Sequence, residues 1–187
     1  MAKCPVCRNV VLQSVQLDNQ LRVMECKKCN GSWIRSNDYA FWLKSQNPGS
    51  FDPSKVEDEN NYFPVSESSL AAICPDCGRF LRKYEVGPKA NFHLDRCNSC
   101  NGVWLDHNEW HRLEAADLHD EINQIFTKPW QEQIQSKAIA DRLDATYMQK
   151  FGPNDYAKIK EIREWLQDNP NRNTLLAFLL DKDPYSS

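Results

Sequence analysis

Apolar positions along this chain change their period near residue 113. Before it they fall in short clusters, Val10-Val11-Leu12, Leu21-Arg22-Val23-Met24, Phe80-Leu81-Arg82-Lys83-Tyr84 and Asn91-Phe92-His93-Leu94. Each cluster has strand length and holds branched or aromatic side chains. Asp18-Asn19 and Gly87-Pro88 supply turn chemistry between them, so the pattern predicts two short hairpins. After Leu113 the spacing is helical. Leu113, Ala116, Leu118, Ile122, Ile125 and Phe126 predict one helix that ends before Pro129. A second starts at Thr127-Lys128-Pro129, carries Trp130, Ile134, Ala138, Leu143 and Tyr147, and ends at Phe151-Gly152-Pro153. A third carries Tyr156, Ile159, Ile162, Trp165 and Leu166. The last, Thr174 to Asp181, is short and strongly apolar. These faces need partners, supplied either by a small helical domain or by another protein.

The strand-like half is written twice. A shift of 70 residues sets Cys4 and Cys7 on Cys74 and Cys77, and a shift of 71 sets Cys26 and Cys29 on Cys97 and Cys100. The match runs on: Cys29-Asn30-Gly31-Ser32-Trp33-Ile34 answers Cys100-Asn101-Gly102-Val103-Trp104-Leu105. Duplication is the economical explanation. All 8 cysteines fall in these pairs, and each copy reads C-x2-C, an interval of 18 or 19 residues, then C-x2-C. That is the spacing of a structural zinc site, in which two tight turns each offer two thiolates to one tetrahedral ion. Cys4, Cys7, Cys26 and Cys29 are the expected ligands of one Zn2+, and Cys74, Cys77, Cys97 and Cys100 those of a second. A unit of about 40 residues buries too little apolar surface to fold alone, so metal binding contributes much of its folding free energy. The residue after each turn suits a left-handed backbone at Gly78, Asn30 and Asn101; Arg8 does not, which predicts strain in the first turn. Lys27 and Lys28 are candidates, beside backbone amides, to offset the thiolate charge.

The second copy, Cys74-Pro75-Asp76-Cys77-Gly78 followed by Cys97-Asn98-Ser99-Cys100-Asn101-Gly102-Val103-Trp104-Leu105-Asp106-His107-Asn108-Glu109, resembles the transcription factor zinc-finger family, small ribbons similar to that of transcription factor IIB. That family's pattern is a C-P-x-C-G turn, then C-x-x-C-x-G-x-W-L-D leading into a short helix. The first copy departs further, with Arg8 at the turn glycine and Ile34-Arg35-Ser36-Asn37-Asp38 after the tryptophan. The resemblance implies a fold and a metal and says almost nothing of a reaction. Asp106 and Glu109 have capping-box spacing at the start of the second ribbon's helix. Arg35 cannot cap in the equivalent place, so the first helix is expected to start at Ser36. Trp33 and Trp104 are expected to pack each ribbon against its own helix, the alternative being exposed binding aromatics.

The predicted fold is α+β: tandem zinc ribbons, small antiparallel sheets each followed by a helix, plus a C-terminal α-helical region. The organisation is ribbon 1 with its helix over 1–46, an acidic linker over 47–70 with an aromatic island at Tyr62-Phe63-Pro64-Val65, ribbon 2 over 71–113 and the helical region over 114–187. No apolar run reaches the roughly 18 residues of a membrane span, and a cysteine pair starting at residue 4 leaves no room for a secretory leader. The expectation is a cytoplasmic, reducing compartment, where thiolates hold metal instead of forming disulfides.

Charge decides among functions. The formal net charge is -3, and two zinc-thiolate centres, each -2, make it more acidic. Only ribbon 1 is clearly basic, through Lys3, Arg8, Arg22, Lys27, Lys28, Arg35 and Lys44, so phosphate contacts supply little general affinity. His107 and His111 do not form H-E-x-x-H, and no phosphate loop or nucleophile elbow is present. The expected function is a non-enzymatic zinc-binding adaptor that docks to a protein partner, with no small-molecule substrate. The alternatives are a nucleic-acid-binding or transcription-associated ribbon protein acting through ribbon 1, and a thiolate-metal redox or metal sensor, including a rubredoxin-like iron site.

Overall fold

A computed structural model describes residues 1–17, 20–46, 71–87 and 92–185. The expected linker with its aromatic island, Asp18-Asn19, and Pro88 to Asn91 lie outside the described residues. The chain divides into two compact units, Met1–Lys137 and Ala138–Ser187.

The first unit is built on one antiparallel sheet. Strands β1 (Gln13–Gln16), β2 (Arg22–Glu25) and β3 (Ser32–Ile34) belong to the first copy; β4 (Arg82–Glu85), β5 (His93–Arg96) and β6 (Val103–Leu105) to the second. Their order is β1-β2-β3-β6-β5-β4, so the two ribbons form a single six-stranded sheet. At its centre Ser32 pairs with Leu105, Trp33 with Trp104 and Ile34 with Val103. Because Trp33 and Trp104 are the repeat-related residues, a pseudo-twofold axis passes through that pair.

Both central strands are buried along their length, since side chains alternate between two covered faces. On one face Leu21, Val23, Ile34, Leu94, Val103 and Leu105 pack with the helices α1 (Ser36–Leu43), α2 (Glu109–Ala115) and α3 (Ile122–Ile125). On the other, Leu12, Trp33 and Trp104 pack with Cys4, Cys26, Cys74 and Cys97.

Four expectations are corrected. Val10-Val11-Leu12 is not a strand: Val11 makes one isolated bridge to Lys3, and β1 starts at Gln13. The first turn of copy one spends an extra residue, bonding Cys4 N to Val10 O where Cys74 N bonds Arg79 O, which pushes its strand along the chain. The short strands β3 and β6 lie inside the Asn-Gly-x-Trp motifs, where three residues are too few to display a period. The helix expected to run from Leu113 to Pro129 is two. α2 ends in a Schellman motif, with Leu118 N bonding Leu113 O at 2.8 Å, Asp117 N bonding Glu114 O at 3.0 Å and Asp117 at φ 55°. An aspartate at the left-handed position hid a stop that glycine usually marks. Finally, Trp33 and Trp104 are core residues on the face away from the helices, where the metal turns lie.

Helix α4 (Lys128–Phe151) begins in this unit, where Trp130 Nε1 donates to Val86 O at 3.0 Å and Gln131 Nε2 to Glu85 O at 2.8 Å. The second unit contains the rest of α4 with α5 (Pro153–Gln167) and α6 (Arg172–Leu180). Gly152 at φ 78° and Pro153 at the head of α5 make the expected break. Tyr156 Oη donates to Asp144 and Lys160 pairs with the same carboxylate at 2.9 Å. Among the described residues little else covers these helices. Ile139, Leu143, Met148, Ile159, Ile162 and Trp165 are exposed, and α6 has no buried residue.

Candidate metal centres

Each turn of the C-x2-C type is closed by the same backbone bond, from the residue after the second cysteine to the carbonyl of the first. In the first turn of copy one, Arg8 N donates to Cys4 O at 2.8 Å; Asn30 N to Cys26 O, Gly78 N to Cys74 O and Asn101 N to Cys97 O repeat it. The closing residue is left-handed in all four turns, at φ 58°, 57°, 72° and 58° for Arg8, Asn30, Gly78 and Asn101. Arg8 therefore adopts the backbone that its side chain disfavours. In the second turn of each copy, Cys26 N donates to Gly31 O and Cys97 N to Gly102 O, both at 2.9 Å.

These turns gather Cys4, Cys7, Cys26 and Cys29 into one group and Cys74, Cys77, Cys97 and Cys100 into another, with the sulfurs of each group within 4.8 Å of one another. Cys4 and Cys29 sulfurs are 3.6 Å apart, Cys74 and Cys100 3.5 Å, and Cys77 and Cys97 3.4 Å. A tetrahedron with metal–sulfur bonds of about 2.3 Å has edges of about 3.8 Å, so both sets fit Zn2+. Disulfides, at about 2.05 Å, do not account for these separations. All eight cysteines are free thiols.

As free thiols they are unequal. Burial pushes Cys4 up to about 11. Burial acts upward on Cys97 too, yet the N–H groups of Cys100 and Ser99, together with the thiols of Cys77 and Cys100, outweigh it and bring it down to about 7. Cys26 is lowered in the same way against its burial, by the amides of Cys29 and Lys28 and the thiols of Cys29 and Cys4. Backbone amides thus share in offsetting thiolate charge, while Lys27 is drawn to Glu25 at 3.1 Å. Ligation replaces protons on the higher thiols, so zinc and protons compete at both sites.

The two centres are braced reciprocally. A Cβ added at Gly31 would lie 2.3 Å from Cζ2 of Trp104, and one at Gly102 2.2 Å from Cζ2 of Trp33, both far closer than atoms can pack. Each tryptophan therefore lies on the turn of the other copy's metal site, and both are almost fully buried, 0% and 1% exposed. Their indole N–H groups are satisfied differently. Trp104 Nε1 donates to Asp106 Oδ1 of its own copy at 2.8 Å, and Glu109 reaches back to Asp106 N at 2.8 Å, the return half of the capping box. In copy one Arg35 stands where Asp106 stands in copy two, so Trp33 Nε1 turns to Asp76 across the interface at 3.0 Å. Arg35 joins it through two bonds of 3.0 and 3.1 Å and holds the Asp76 carboxyl below the usual carboxylate range. The signal was present in the repeat: an aspartate lost to arginine at 35 and one gained at 76, where the first turn has Val6.

The other expected residues are more scattered. Lys3 and Arg8 belong to the first turn region, Arg22 lies on β2, Lys27 and Lys28 in the second turn, and Arg35 and Lys44 flank α1; all seven are exposed. Lys27 and Arg35 are already in ion pairs. His107 and His111 are not joined in a metal set among the described residues; His111 faces Glu114 at 3.2 Å, and His119 lies instead with Asp117 and Asp120.

The family model described as "Transcription factor zinc-finger" matches this chain twice, over residues 3–45 and 73–116. No curated protein and no solved structure matches it.

Proposed function

Since residues 3–45 and 73–116 are two transcription factor zinc-finger ribbons joined in one sheet, we propose that the protein is a non-enzymatic, two-zinc adaptor that docks to a protein partner in a reducing, cytoplasmic compartment. The observation that carries this is the apolar surface of the C-terminal helices. α6 is almost wholly apolar from Leu175 to Leu180 and buries none of its residues. Ile139, Ile159, Ile162 and Trp165 add to it. Many large apolar side chains left exposed in one unit are a mark of an interaction site. Four protein sulfurs per ion complete a tetrahedral shell, leaving no open position for substrate or water. No helix among the described residues is long and apolar enough to cross a membrane.

Nucleic-acid binding through the exposed Lys3, Arg8, Arg22, Lys28 and Lys44 is the second reading. It draws on fewer cations than the sequence offers, because Lys27 and Arg35 have partners within the chain. Affinity capture from native extract with and without nuclease separates the two. The expected outcome is retention of protein partners after nuclease treatment and their loss in Phe178→Asp and Leu179→Asp variants. Loss of every partner on nuclease treatment alone would overturn the adaptor reading. A visible absorption band in the purified protein would instead reveal ferric thiolate and a redox role.

A further inference from the structure

The two copies hold their metal turns differently, and the difference lies at Asp76. This residue sits inside the first C-x2-C turn of copy two, Cys74-Pro75-Asp76-Cys77. Proline has no N–H, so the amides inside the turn that can reach the Cys74 sulfur are those of Asp76 and Cys77, and both donate to it. The side chain of the same Asp76 is held by the other copy. Arg35 Nε and Nη2 reach its two oxygens at 3.0 and 3.1 Å, and Trp33 Nε1 adds a third bond at 3.0 Å. One residue thus ties a ligand sulfur of the second centre to the head of α1 in the first ribbon.

Exposed ion pairs ordinarily contribute little, and the Arg35 side chain is 44% exposed. Two features set this pair apart. The guanidinium engages the carboxylate as a bidentate fork, the geometry of strong pairs, and the indole that shares the carboxylate belongs to Trp33, which is fully buried. A buried donor needs its acceptor, so Asp76 cannot swing away without orphaning the Trp33 N–H.

The anchor has no counterpart in the other direction. The residue 70 positions before Asp76 is Val6, whose side chain accepts nothing and packs among apolar neighbours. The residue 71 positions after Arg35 is Asp106, which takes the Trp104 N–H within its own copy at 2.8 Å. The anchored turn is also the more open one: Cys77 is exposed, and its counterpart Cys7 is half-buried. A ligand thiolate at the surface is the first that water or a competing chelator reaches. Whatever keeps its turn in place therefore governs how long the metal stays.

We propose that Arg35 and Trp33 of the first ribbon are positioning residues for the second metal centre: they hold Asp76, and with it the turn from Cys74 to Cys77, so that retention of the ion on Cys74, Cys77, Cys97 and Cys100 is set from the other copy. This polar link runs one way, because the indole N–H of Trp104 is spent inside its own copy.

The variant that isolates the link is Arg35→Asp. It gives Trp33 the same in-copy acceptor that Trp104 has in Asp106, while Asp76 loses its fork and gains a like charge beside it. The full chain, with two zinc ions verified by metal analysis, is mixed with a chelator and sampled at intervals with iodoacetamide. Mass spectrometry reads alkylation at Cys77 and at Cys7 in the same molecules. The expected result in Arg35→Asp is an initial rate about tenfold higher at Cys77, the usual effect of removing an outer partner of a metal ligand, with the initial rate at Cys7 unchanged. Asp76→Val, which copies the turn of the first ribbon, should act alike. Reversing the pair, with Arg35→Asp and Asp76→Arg together, should return the rate at Cys77 toward wild type. A variant that purifies with the second centre empty and Cys7 still protected supports the proposal in stronger form. An unchanged rate at Cys77 in both single variants overturns it. So does equal acceleration at Cys7, which marks a general loosening of the sheet, or a reversed pair that recovers nothing.

Discussion

At the scale of single residues, the positions that decide most are small or oddly placed. Gly102 lies against the Trp33 ring and has no space for a methyl group. Gly102→Ala should therefore cost about 1–3 kcal/mol by overpacking and lower the thermal midpoint of the zinc-loaded protein by several degrees. A midpoint within a degree of wild type would mean the indole moves aside freely. Arg8 and Gly78 form a matched pair. Both are left-handed, but nothing lies within 4 Å of a Cβ added at Gly78, so only backbone strain distinguishes the residues allowed there. That strain is about 1–2 kcal/mol for a side chain other than glycine, offset in part by glycine's greater freedom when unfolded. Arg8→Gly should thus raise stability by up to about 1 kcal/mol, and Gly78→Ala should lower it by a similar amount, read from chemical denaturation with zinc present. Opposite signs in the two variants are the feature to look for. The left-handed positions were visible in the sequence at Gly78, Asn30 and Asn101, because those residue types tolerate them. The same backbone at Arg8 was visible only as a conflict with its repeat partner.

At the scale of elements, the pairing of β3 with β6 joins the two metal sites more closely than tandem modules on a tether would be. Each three-residue strand carries a tryptophan that braces the other copy's turn. Loss of one site should then loosen the other. Replacing Cys97 and Cys100 by Ser removes half of the second ligand set, and the protein should purify with one zinc. Its remaining ion, on Cys4, Cys7, Cys26 and Cys29, should pass to a colorimetric chelator at least about tenfold more readily than in wild type, equivalent to about 1.4 kcal/mol of coupling. Unchanged release from the first site would show that the shared sheet transmits nothing. Helix boundaries were legible where proline or glycine marks them, as at Phe151-Gly152-Pro153. They were not legible at Leu113 to Leu118, where an aspartate takes the left-handed place and a leucine contact across the motif completes the stop.

At the scale of the whole molecule, the unit Met1–Lys137 has two apolar layers on one sheet, and the metal-side layer contains cysteines and tryptophans of both copies. Zinc removal by a strong chelator should accordingly unfold both ribbons in one transition when followed by tryptophan fluorescence. Two well-separated transitions would restore the picture of independent modules. The duplication, the two groups of four cysteines and the resemblance of the ribbons to the zinc-finger family were determined by sequence alone, because metal ligation imposes short fixed spacings that survive in one dimension. The course of α4 and α5 was legible for a related reason, since a helical period and its breakers are local. Only the tertiary structure decided that the copies share a sheet, that each tryptophan serves the other copy's metal turn, and that Tyr39 of the first copy holds the backbone of His119 and Ile122. These depend on contacts between residues some 40 to 90 positions apart, formed along the edge of β3. A three-residue strand is too short to announce in its own sequence which neighbour it will pair with.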